Sequence, residues 1–158
     1  MIIIALILFL IYNIYYICSK GIPENLSSTY YDLKGLFPVT IGICGVLTMI
    51  TWLSVLEGSP WQFTGFLCPL AIFFMCAAPD FKKFGLIYKV HSIGSYIGAL
   101  IAVLSIIFIF NSWPVLIIAF LGISLIALGS KSWKRCYIYW IELWIFLSIF
   151  IVLLLKIL

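Results

Sequence analysis

Six apolar segments make up most of this chain, over residues 2–18, 36–56, 63–78, 92–110, 114–128 and 137–157, and its cations fall in alternate gaps between them. Lys20 and Lys34 lie in the first gap, Lys82, Lys83 and Lys89 in the third, and Lys131, Lys134 and Arg135 in the fifth. The second and fourth gaps hold none, and Lys156 sits near the C-terminus. Cytoplasmic loops of membrane proteins carry an excess of Lys and Arg, so one pattern sets both the segment count and the threading. It predicts an all-α polytopic transmembrane bundle, six helices in three hairpins, as a single domain over residues 1–158. Loops 19–35, 79–91 and 129–136 are then cytoplasmic, and both termini lie outside.

Composition agrees. Hydrophobic residues are 66% of the chain and charged residues only 9%, with a mean hydropathy of +1.30. Soluble domains average about 25% charged residues, so a water-soluble fold is excluded. The net charge of +4 is explained by cations flanking apolar segments, beside anionic headgroups, and no nucleic-acid partner is implied. The N-terminus lacks the basic region and small-residue cleavage site of a signal peptide and is expected to remain as a helix. None of the five cysteines forms a CxxC pair, and with a single histidine the chain lacks the ligands of a zinc hydrolase. Neither metal nor cofactor is expected.

Spanning helices need roughly 17–25 residues, which the second, fourth and sixth segments supply comfortably. The third and fifth are shorter and would borrow from Trp61–Gln62 and Trp113. Between segments four and five, Asn111-Ser112-Trp113-Pro114 reads as a tight turn, since Pro suits the first turn of a new helix. Trp52, Trp61 and Trp113 fall near one predicted face and Trp133 and Trp140 near the other, as an aromatic belt would. In the first gap, Thr29 and Asp32 have capping-box-like spacing, and Gly35 is a natural stop. Leu26, Tyr30 and Leu33 share a helical face that would lie in the headgroup layer. In the third gap, Asp80 can cap a short interfacial helix in which Phe81, Phe84 and Tyr88 alternate with Lys82, Lys83 and Lys89.

Few residues carry chemistry. Glu142 lies five positions into the last segment, about 7–8 Å along the helix. An ionisable group within a membrane helix is a functional candidate by default, although Arg135, seven residues earlier, offers a partner. Asn13 could line a path but more often cross-links helices. Thr40, Cys44, Thr48 and Thr51 form one polar stripe, which could either line a water path or bond back to carbonyls. Gly94, Gly98 and Ala102 form a small-residue ridge, fit for an internal helix or for a homo-oligomer seam. Tyr30, Tyr31, Asp80 and His91 would border a cytoplasmic mouth. A Ser–His–Asp site would need His91 and Asp80 to meet a serine such as Ser27 or Ser28. The fingerprints GxSxG, HExxH and the P-loop are all missing from the sequence, so a non-enzymatic role is expected.

The run Ile22-Pro23-Glu24-Asn25-Leu26-Ser27-Ser28-Thr29-Tyr30-Tyr31, with the stretch around Ala77-Ala78-Pro79-Asp80-Phe81 and His91, resembles motifs of small, uncharacterised polytopic inner-membrane proteins of Bacteroides-type bacteria and their phages. That resemblance implies a bacterial or phage-derived protein of the cell's inner (plasma) membrane and no particular activity. Two functional expectations follow. One is binding or passage of a small solute, ion or lipid through the bundle. The other is a phage or prophage factor acting on a host membrane complex. A lipid-modifying membrane enzyme is a third and weaker one.

Overall fold

The structure, a computed structural model, describes residues 1–77, 85–131 and 133–158. Helices form where the apolar runs lie, because a segment in lipid must satisfy its backbone groups internally. α1 spans Ile2–Lys20, α2 is a single turn at Tyr30–Leu33, and α3 spans Leu36–Val55. α4 follows at Thr64–Ala77, α5 at Leu86–Leu104, α6 at Trp113–Gly129 and α7 at Tyr137–Ile157. Among the described residues, four helices are long and apolar enough to cross a membrane: α1, α3, α7, and α5 with its π-helical extension, which together cover Leu86–Ile109. The 14 described residues of α4 cover about 21 Å at 1.5 Å per residue. α6 has 17 residues. Among the described residues, four helices thus have the length and composition of spans, and α4 and α6 are shorter apolar helices, α6 at the lower limit of spanning length.

α5 starts six residues ahead of its predicted boundary, after Gly85, whose φ of 114 suits glycine. Its last turn, Ser105–Ile109, is π-helical, and the helix then breaks. Asn111 takes a φ of 47, which Asn tolerates, and the Ser112 N–H donates to the Ile106 carbonyl at 2.8 Å. Pro114 enters the first turn of α6, where its missing N–H costs nothing. The expected turn is present.

α1 packs between α3 and α7, α4 bridges α3 and α5, and α6 lies against α7. Phe9 anchors the centre, its ring 5.0 Å from Phe146 and 5.4 Å from Phe150. The ridge of Gly94, Gly98 and Ala102 is buried against α4. A Cβ placed on Gly98 would come within 2.8 Å of the Ala71 Cβ, so glycine is what lets the two helices approach.

The aromatic belt is only partly present. Trp61 and Trp113 are exposed, but Trp52 is 0% exposed, with its ring 5.5 Å from Phe110, and Trp140 is buried as well. Tryptophan near a helix end does not distinguish a lipid-facing position from a core one, because either can take its large apolar ring.

Candidate functional site

The first gap is folded into the bundle and does not lie flat in a headgroup layer. Asn25 Oδ1 accepts the Ser28 N–H at 2.7 Å and caps a 3-10 turn at Leu26–Thr29. Leu26, Ser27 and Thr29 are each 1% exposed. No capping box joins Thr29 to Asp32. The Thr29 hydroxyl donates to the Leu26 carbonyl at 2.6 Å, which leaves its oxygen to accept from the Tyr12 hydroxyl at 2.5 Å. Asp32 Oδ2 accepts from Tyr16, one turn further along α1, at 2.5 Å. The left-handed stop falls on Lys34, with a φ of 27, while Gly35 has ordinary helical geometry at the start of α3.

Residues 22–26 then run along the first turns of α7, so that every second residue of the segment meets every third of the helix. The Ile22 carbonyl accepts from Cys136 Sγ at 3.6 Å, and the Glu24 carbonyl from the Tyr139 N–H at 3.2 Å. The Tyr139 N–H belongs to the first turn of α7, whose donors have no partner within the helix, so the Glu24 carbonyl acts as a backbone cap. The third contact is from Leu26 N–H to Glu142 Oε2 at 2.5 Å. Glu142 is thus engaged by the backbone of a segment 116 residues away, whereas Arg135 is exposed and lies ahead of α7.

Glu142 also lines a narrow cavity of about 70 Å³ between α3, α4, α5 and α7. Its walls are almost wholly apolar, formed by residues such as Ile72, Met75, Phe146 and Phe150. Thr48, Cys68 and Ser95 are its other hydrogen-bonding side chains. Each is committed to its surroundings: Thr48 donates to the Cys44 carbonyl at 2.7 Å, Ser95 to the His91 carbonyl at 2.9 Å, and Cys68 to the Gly98 carbonyl at 3.7 Å. Gly98, Ala99 and Ala102 form the α5 wall, so the small-residue ridge both seats α4 and leaves the space open.

Of the residues singled out in the sequence, Glu142 and Thr48 share this cavity. Asn13 lies elsewhere, as a cross-link: its Nδ2 donates to the Phe9 carbonyl at 2.8 Å and its Oδ1 accepts from the Tyr139 hydroxyl at 3.0 Å, joining α1 to α7. Thr51 bonds back to the Leu47 carbonyl at 2.8 Å, and Thr40 is half-buried on the first turns of α3. Tyr30 and Tyr31 pair edge-on at 5.6 Å on the short α2. His91 is buried in the second turn of α5, five residues past the helix start and deeper than expected. Asp80, with the proposed cap and the Phe81–Phe84 interfacial stretch, lies outside the described residues. Among the described residues no three His, Cys, Asp or Glu side chains are grouped to hold a metal. Ser95 and Cys68 were missed because each looks like packing in its own segment; only the juxtaposition of four helices makes them a lining.

Fold and site together define an all-helical protein with four helices of membrane-spanning length and a carboxylate at an apolar internal cavity. No protein-family model matches the chain, and no curated protein or solved structure matches it either.

Proposed function

We propose that the chain is a multi-pass inner-membrane protein that binds or passes a small solute or ion through its helical bundle, with Glu142 as the central contact. The observation that carries this reading is the position of Glu142 on the cavity between α3, α4, α5 and α7. An ionisable side chain in an apolar helix is costly, and such residues characteristically face a bundle interior or a water-filled space where they meet a substrate or ion. Small-molecule sites share this form, an apolar enclosure with few and convergent polar groups. Thr48 and Ser95 supply the remaining oxygen atoms from α3 and α5.

The threading proposed with it puts both termini outside and loops 19–35, 79–91 and 129–136 in the cytoplasm. Besides the cation pattern, it draws support from the docking of residues 22–26 on the N-terminal end of α7, which brings the first and fifth gaps to one end of the bundle. Glu142 then lies near the cytoplasmic side.

Glu142→Gln tests the reading. The carboxamide oxygen can still accept from Leu26 N–H, so the latch and the helical circular dichroism should persist. Solute or ion flux, or binding, in proteoliposomes should fall. Unchanged flux and unchanged binding would remove Glu142 from the site.

A further inference from the structure

The hydrogen-bonding inventory of the cavity has a direction. The Thr48 hydroxyl hydrogen goes to the Cys44 carbonyl, that of Ser95 to the His91 carbonyl and that of the Cys68 thiol to the Gly98 carbonyl. A hydroxyl has one hydrogen and two lone pairs, so once the hydrogen is spent on a carbonyl the group can only accept. Glu142 uses Oε2 on Leu26 N–H, and its Oε1 has no hydrogen-bond partner among the described residues. As an ionised carboxylate it too is an acceptor only. None of the lining residues is Lys, Arg or His. With Glu142 ionised, the cavity offers a negative charge and oxygen lone pairs inside apolar walls, and no free donor.

We propose that this cavity is a binding site for a compact primary alkylammonium ion. The inference rests on the reading of the cavity as a solute site and adds the charge and shape of its ligand. The ammonium group places an N–H donor on Glu142 Oε1, and Ser95 and Thr48 offer further lone pairs along the cavity wall. The alkyl part lies against Ile72, Met75 and the rings of Phe146 and Phe150. An anion would meet Glu142 with like charge and find no donor. A neutral ligand of the same shape would leave the carboxylate without a counter-charge in an apolar setting, which is costly. A water needs at least about 10–15 Å³ measured in this way, so 70 Å³ admits on the order of five heavy atoms and excludes bulky cations.

The test is equilibrium dialysis of radiolabelled n-butylammonium, n-butanol and butyrate against the full chain in nanodiscs, with empty nanodiscs subtracted. The expected result is saturable binding of n-butylammonium alone, weakened at least tenfold by Glu142→Gln. Ala99→Leu, which fills the cavity without touching the latch, should abolish it and so cover the case in which the Glu142 variant folds poorly. Binding of n-butanol as tight as that of n-butylammonium, or binding insensitive to Glu142→Gln, would overturn the cation assignment and leave a solute cavity standing. Saturable binding of butyrate would overturn the acceptor-only argument. If none of the three binds the wild-type chain, the solute-site reading falls along with the inference.

Discussion

Gly98 gives the sharpest quantitative handle on the packing that forms the cavity. A methyl group added there meets the Ala71 Cβ at 2.8 Å, whereas carbon atoms rest at about 3.5–4.0 Å. Neither Cβ can rotate away, so α4 and α5 must separate by about 1 Å near the cavity. Overpacking of this kind costs about 1–3 kcal/mol. Gly-to-Ala in a helix interior returns about 1 kcal/mol through backbone entropy. Gly98→Ala should therefore destabilise by about 0–2 kcal/mol. Gly122→Ala is the internal control, because nothing lies within 4 Å of its added Cβ and only the favourable contribution remains. The two variants should differ by about 1–3 kcal/mol when unfolded with SDS in mixed micelles and followed by circular dichroism. Ala71→Gly in the Gly98→Ala background should relieve the clash, giving a coupling energy in the range of about 0.5–3 kcal/mol found for residues in contact. Equal stabilities for Gly98→Ala and Gly122→Ala, or strict additivity with Ala71→Gly, would refute the close approach of α4 and α5.

Two further outcomes are expected. Tyr139→Phe and Asn13→Leu should each destabilise the bundle, and their double-mutant cycle should return about 0.6–1.7 kcal/mol, the range for interhelical hydrogen bonds in membranes; a coupling near zero would dissolve the α1–α7 cross-link. Cys18, exposed at the end of α1, should react with a membrane-impermeant maleimide in inverted inner-membrane vesicles and not in intact spheroplasts. The reverse pattern would overturn the proposed threading.

The helices were legible because their signal is local: uninterrupted apolar runs and the Asn111–Pro114 break identify them within a few residues. Only the start of α5 was misplaced, because Tyr88, Lys89 and His91 looked like loop residues yet fit a helix whose polar end nears water. Glu142 and Thr48 were legible as polar atoms in apolar helices. Their meeting was not, since it depends on how α3, α5 and α7 rotate about one another, which no single segment records. The first gap misled for a related reason. Leu26, Tyr30 and Leu33 share one face, which suits an interfacial turn as well as one docked in the core. The deciding contacts, Glu24 with Tyr139 and Leu26 with Glu142, join residues more than a hundred positions apart. Trp52 and Trp140 show the same limit, since their burial comes from neighbours in other helices.

The bond from Leu26 N–H to Glu142 also bears on the order in which the bundle is made. A ribosome delivers residues 22–26 long before residues 136–142, so until α7 is made the first loop lacks the helix end on which it docks. α7 anchors that loop by supplying a side-chain oxygen to Leu26 and a backbone donor to Glu24. A nascent chain halted before residue 136 would hold its other helices with its first loop unanchored, and insertion of α7 would be the step at which the cavity gains its carboxyl group.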